Sequence, residues 1–146
     1  MIKLTTILRE VISTTQQFEE LVQDIIQQGG EFIGSGDYGK VFALNGKVVK
    51  VTTDPDEIED AQKLKQKKTK YFVHIFDVDV RDPKLAIITM EDLEQFTGAP
   101  DRVPIEDIYD EAETLNIYPD LEGPGGSIRM QNIMQDKRGN IKVIDV

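Results

Sequence analysis

EFIGSGDYGKVFALNGKVVKVT, residues 31–52, is the stretch on which the reading of this chain turns. It holds three short β-type runs separated by glycine-rich punctuation. Asn45-Gly46, set between VFAL and KVVKV, is a strong two-residue hairpin signal because both residues tolerate positive φ. Strands are expected near residues 31–34, 40–44 and 47–52. Inside the first hairpin lies Gly34-Ser-Gly36-Asp-Tyr-Gly39-Lys-Val41. A lone G-x-G-x-x-G is a weak signal, and context must decide its meaning. A dinucleotide fold needs strand, glycines and then helix, whereas here the glycines sit within a β-hairpin. Such a hairpin can cover phosphates with its backbone amides, since glycine allows close approach without a Cβ clash.

Alternation along the third run puts Lys50 on one face of the strand and Val49 and Val51 on the other. A lysine flanked by valines must have its ammonium solvated or paired. The next segment, DPDEIEDAQKLKQKK, has proline near its first turn, acids at its start and lysines at its end. That is a helix polarised with its own macrodipole, and it offers Glu57 and Glu59 as partners for Lys50. YFVHIFDVDV and PKLAIITM read as two more strands joined at Arg81-Asp82-Pro83. Residues 92–103 read as loop or short helix. VPIEDIYDEAETLNI then carries Ile105, Ile108, Ala112 and Leu115 at helical spacing. After a Gly/Pro-rich loop come two short strands, NIMQ and IKVID, joined as a terminal hairpin by DKRGN. Ahead of the glycine-rich stretch, two helices are expected. Leu4, Ile7, Leu8, Val11 and Ile12 mark the first, and Phe18, Leu21, Val22, Ile25 and Ile26 the second. Ser13-Thr14-Thr15 lies between them as a break, and Gly29-Gly30 ends the second.

The bulk properties narrow the function classes. The chain has 146 residues, 39% hydrophobic and 30% charged, which suits one globular unit with a real core. Its 27 acidic and 17 basic residues give a net charge of −10, which argues against non-specific nucleic-acid binding. A polyanionic ligand would need local help from backbone amides, a lysine and a divalent cation. With no cysteine, disulfides and thiolate metal sites are excluded. No apolar run approaches a bilayer span and no secretory signal is evident, so a cytoplasmic protein without membrane partners is expected. His74, the only histidine, lies in an alternating strand and reads as solvent-facing or hydrogen-bonded, not catalytic. The acids Glu106, Asp107, Asp110, Glu111 and Glu113 read as a solvated helix face.

The chain's last part supplies the remaining chemistry. Asn132 begins one terminal strand and Asp145 ends its partner, so both can face one cleft. An amide oxygen and a carboxylate are hard ligands that suit Mg²⁺ shared with phosphates. Taken in order, GSGDYGKV, VVKV, LAIITMEDL and NIMQDKRGNIKVIDV resemble the eukaryotic-type Ser/Thr protein kinase family over roughly residues 31–146. The overall look is closest to compact kinase-like proteins of bacteriophages or bacteria, in which case the setting would be the host cytoplasm.

That resemblance implies an α+β, kinase-like fold. It would have a five-stranded antiparallel N-lobe sheet with one αC-type helix, a minimal C-lobe and two extra N-terminal helices. The corresponding divisions are residues 1–30, 31–91 and 92–146. The resemblance further implies ATP and Mg²⁺ as cofactors. Gly34, Gly36, Gly39 and Val41 would cover the nucleotide, and Lys50 would contact its α/β-phosphates with Glu59, or else Glu57, as partner. Met90 would be the gatekeeper, with Glu91 to Leu93 offering backbone groups to adenine. Asn132 and Asp145 would bind the metal. Catalysis would fall to Asp120, Lys50 and Asn132.

The family's base is an aspartate followed by four residues and then the asparagine. Counting back from Asn132 on that spacing lands on Ser127, which cannot serve as a carboxylate. If EGPGGSIRMQ, residues 122–131, is an insertion, Asp120 of Tyr118-Pro119-Asp120-Leu121 returns to the base position. The family's glycine after the metal-binding aspartate is replaced by Val146. Two functions therefore stand side by side. One is transfer of the γ-phosphate to Ser/Thr of a protein or of the chain itself. The other is a pseudokinase-like module that regulates a partner protein without transfer.

Overall fold

Asn45 and Gly46 adopt φ of 53° and 76°, the left-handed pair that a tight hairpin turn requires. The computed structural model describes residues 4–144, with side chains from Thr14 onward. Around that turn, β1 (Glu31–Ser35), β2 (Gly39–Leu44) and β3 (Lys47–Thr52) run antiparallel. They continue through β5 (Leu85–Glu91) to β4 (Ile75–Asp82), so the sheet order is β1-β2-β3-β5-β4. The described residues form an α+β fold, with this five-stranded antiparallel sheet and three α-helices. Among the described residues, no helix is long and apolar enough to cross a membrane.

The two faces of the sheet are covered differently. On one face, Leu21, Val22 and Ile25 of helix α1 (Leu4–Gln27) pack on Phe42, Val49, Val51 and Leu85. On the other, Ala61 and Leu64 of α2 (Pro55–Gln66) join Val73, Ile75 and Ile88. That core runs on through Ile108, Ala112 and Leu115 of α3 (Ile105–Leu115) to Ile133 and Val143. The alternation expected for β3 therefore holds: Val49 and Val51 face α1, and Lys50 faces α2 and the cleft below the sheet.

Helix α1 is one continuous element, where two helices were expected. Ser13-Thr14-Thr15 contains neither glycine nor proline. The apolar series Val11, Phe18, Val22, Ile25 also keeps helical phase across it, so nothing local forces a break. α2 is capped as its composition foretells. The Asp54 side chain accepts from the Asp56 amide, Pro55 opens the first turn, and Lys63 and Lys65 lie in the last.

A second correction concerns the end of the chain. β7 (Ile133–Gln135) and β8 (Ile141–Val143) pair as expected, but β6 (Glu94–Gln95) joins them as a third strand. The segment before β4 is also not strand from its beginning. Phe72 makes a single parallel bridge to Val143, and β4 starts at Ile75. Glu111 of α3 holds that segment with its carboxylate, which accepts from the amides of Lys70 and Tyr71 at 2.8–3.1 Å.

The glycines divide by what surrounds them. A Cβ on Gly39 would lie 2.4 Å from the Val51 carbonyl oxygen, so β2 and β3 approach too closely for any side chain there. Gly34 and Gly36 have nothing within 4 Å of that position. Gly39→Ala is therefore expected to cost about 1–3 kcal/mol in urea denaturation, through backbone displacement. Gly34→Ala and Gly36→Ala should leave the midpoint unchanged or slightly raised. Equal losses at all three positions would remove this distinction.

Candidate functional site

The cleft between the sheet, α2 and the three-stranded sheet encloses about 250 Å³. Ile33 and Val41 line one side, Val48 and Lys50 the strand above, and Met134 and Ile144 the opposite side. Glu57, Ala61 and Leu64 close the α2 end, and Met90 through Leu93 the end where β5 turns toward β6. Most of this lining is apolar, with a small number of polar groups, the usual character of a small-molecule site.

Lys50 Nζ donates to Glu57 Oε2 at 2.6 Å, inside the cavity. This corrects the choice of Glu59, whose side chain is 66% exposed and lies 3.8 Å from Lys63. The reason is helical phase. Glu57, Ala61 and Leu64 stand at i, i+4 and i+7 and share the inward face, and Glu59 falls on the outward one. That spacing was legible in the sequence and could have selected Glu57. With side-chain exposures of 28% and 24%, the pair is partly solvated, and its strength is to be discounted accordingly. The second carboxylate oxygen, Oε1, is buried and accepts no hydrogen bond from the described residues, so an acceptor stands at the cavity wall.

The glycine-rich hairpin closes through Gly36 N–H donating to the Gly39 carbonyl at 3.0 Å. Gly34 lies opposite Val41, which lines the cleft. Where β5 ends, the Glu91 amide donates to the His74 carbonyl, and the Glu91 carboxylate accepts from the His74 amide. Glu91 is thus held by the residue that leads into β4. None of the backbone bonds among the described residues uses the amide of Asp92 or Leu93. His74 itself is exposed, lies just before β4 and stacks edge-on against Phe76.

Residues 120–132 resolve the position of Ser127. The Arg129 amide donates to the Leu121 carbonyl at 2.8 Å, and the Gly123 amide to the Ser127 carbonyl at 2.7 Å. Glu122 and Ile128 bridge between them. Residues 122–128 are thereby pinched out as a closed loop, with Gly125 and Gly126 at φ of 69° and 78° in its tip. Ser127 belongs to that loop, where its hydroxyl donates to the Pro124 carbonyl. Across the pinch, Asp120-Leu121 leads onto Arg129-Met130-Gln131-Asn132, so that four residues separate Asp120 from Asn132 in space. The closed loop is shorter than residues 122–131, because Arg129 to Gln131 lie beyond its base.

Asn132 is buried, and its Nδ2 donates to the Asp120 carbonyl at 2.6 Å, which leaves its Oδ1 as a hard oxygen donor. The Asp120 carboxylate is solvent-exposed and lies 3.2 Å from Arg129 Nε, which also donates to the Glu122 carbonyl. Nearby, the Tyr109 phenol is pushed above its ordinary pKa by burial first, and then by Glu122 and Asp120. On α2, burial raises the Asp60 carboxyl, opposed by Lys63 and reinforced by Glu59, Asp56 and Asp54. Asp145, expected as the second metal ligand, lies outside the described residues. Among those residues no group of three or more metal-ligating side chains gathers. A metal here would be one that phosphates help to hold. A scan against protein-family models gives no match, and a comparison with curated proteins gives none either.

Proposed function

We propose that this chain binds ATP with Mg²⁺ in the cleft and is a protein kinase-like phosphotransferase acting on Ser/Thr of a protein or of itself. One observation carries the reading. The cavity that holds the Lys50–Glu57 pair is lined by Ile144, whose amide bonds the Asn132 carbonyl, and Asn132 in turn bonds the Asp120 carbonyl across the pinched loop. The order of motifs along the chain, and the α+β fold with its five-stranded sheet, agree with it.

The residues fit the cofactors in kind. Apolar Val41, Val48, Met90 and Met134 would flank the base, and the amides of Asp92 and Leu93, unbonded to backbone among the described residues, would donate to its edge. Lys50, held by Glu57, would meet phosphate oxygens, and the amides around Gly34 and Gly36 would cover them. Asn132 Oδ1, with Asp145, would hold the metal. Bound there, ATP with Mg²⁺ supplies the phosphoryl group and neutralises phosphate charge. Asp120 would orient the attacking hydroxyl and accept its proton, an arrangement that depends on position more than on strong basicity.

A second reading has its own support. The Asp120 carboxylate is already ion-paired with Arg129, which leaves it less available as a base. In that case the chain is a pseudokinase-like module that binds nucleotide and regulates a partner protein, without transfer.

Thermal denaturation with and without ATP–Mg²⁺ tests both. A ligand that binds only the folded state at 100 times its Kd adds about 2.7 kcal/mol. The melting midpoint is expected to rise by several degrees with ATP–Mg²⁺, and the rise should be largely lost in Lys50→Met. An unchanged midpoint at millimolar nucleotide would remove both readings.

A further inference from the structure

The tip of the glycine-rich hairpin lies at the surface. Asp37 and Tyr38 are exposed, and no atom lies within 4 Å of where a Cβ on Gly34 or Gly36 would sit. On its α1 side the tip borders a cavity of about 360 Å³, lined by Thr14, Thr15 and Phe18 as well as residues 35–40 and Thr53. The hairpin therefore has room to swing outward, away from the cleft.

Thr53 opposes that swing. The Tyr38 carbonyl accepts two hydrogen bonds, from the Thr53 amide at 2.8 Å and from the Thr53 hydroxyl at 3.1 Å. Thr53 is itself rigidly mounted. The preceding Thr52 is wholly buried, and its hydroxyl accepts from the Asp54 amide at 3.1 Å. Asp54 then caps α2, whose first turn carries Glu57, the partner of Lys50.

We propose that Thr53 is a positioning residue, which tethers the phosphate-covering hairpin to the start of the helix that orients Lys50. It touches no ligand. Its hydroxyl sets the hairpin over the cleft in register with the Lys50–Glu57 pair, so that both halves of the phosphate site move together. This role rests on the nucleotide-binding reading above, but the tether itself can be tested without nucleotide.

Thr53→Val keeps the β-branched shape and the amide bond and removes only the hydroxyl bond. Thr53→Ser keeps both bonds. Hydrogen exchange without ligand should be faster at residues 34–39 in Thr53→Val and unchanged in Thr53→Ser, with equal melting midpoints for both variants and the parent. Calorimetric titration with ATP–Mg²⁺ should give a Kd about three- to tenfold weaker for Thr53→Val, and the parent value for Thr53→Ser. Unchanged exchange in Thr53→Val overturns the tether. Faster exchange with an unchanged Kd overturns its role in positioning. If the parent protein binds no ATP, the nucleotide reading falls with this role, and the exchange data alone still decide whether the hydroxyl holds the hairpin.

Discussion

Asp120→Asn is expected to lower phosphate incorporation from labelled ATP by about 10²–10⁴-fold, the usual contribution of a positioned general base. The substitution is nearly isosteric, so the expected loss is specific. The Asp120 backbone carbonyl that accepts from Asn132 is untouched, and the side chain is exposed, so folding and nucleotide affinity should stay at parent values. The Asp120–Arg129 pair is a surface ion pair and adds little to stability. Ser127→Ala is the matched control. Its hydroxyl bonds only the Pro124 carbonyl within the pinched loop, and incorporation should not change. Equal incorporation by Asp120→Asn and the parent would end the assignment of Asp120 as base. A parent protein that binds ATP–Mg²⁺ and transfers nothing would favour the regulatory module.

How far the sequence reaches depends on whether a feature is local. Asn45-Gly46, the alternation around Lys50 and the Asp54-Pro55 start of α2 are set by neighbours in the chain, and each stands as its chemistry requires. Ser13-Thr14-Thr15 resembles a helix break, but the unbroken phase of the apolar residues around it carries α1 through. β6 was invisible because two residues, Glu94 and Gln95, become a strand only by pairing with Gln135 and Met134 far along the chain. Gln95 adds side-chain bonds to the Met130 and Ile133 carbonyls, contacts that no local pattern encodes. The same holds at the candidate site. Gly-Pro-Gly-Gly announced a loop, but the contact that decides its size joins Leu121 to Arg129. The choice between Glu57 and Glu59 was local and available from the spacing of Ala61 and Leu64.

Phe72→Ala tests whether the cleft depends on the junction between the two sheets. Phe72 is wholly buried, and its neighbours bind β8 directly: the Val73 amide donates to the Val143 carbonyl, and the Val143 amide to the Tyr71 carbonyl at 2.7 Å. Ile144, which lines the cavity, follows at once, and its amide donates to the Asn132 carbonyl at 3.4 Å. The ring of Phe72 lies in the core cluster that also holds Ile133 of β7 and Val143 of β8. Its removal should destabilise the fold by about 3–5 kcal/mol, a large part of the roughly 5–15 kcal/mol typical of a domain. That corresponds to a fall in Tm on the order of 10 °C. Phe72→Leu, which retains most of the volume, should cost less than half as much. The functional consequence can be separated from the loss of stability at a temperature where the variant is still folded. There, ATP–Mg²⁺ affinity should fall in Phe72→Ala, because Ile144 of the cavity lining follows β8 directly and Asp145 comes next in the sequence. If the folded variant keeps parent affinity, the floor is held by β7 and the Asn132–Asp120 bond without the buried ring, and the site is more independent of the inter-sheet junction than the packing around Val143 implies.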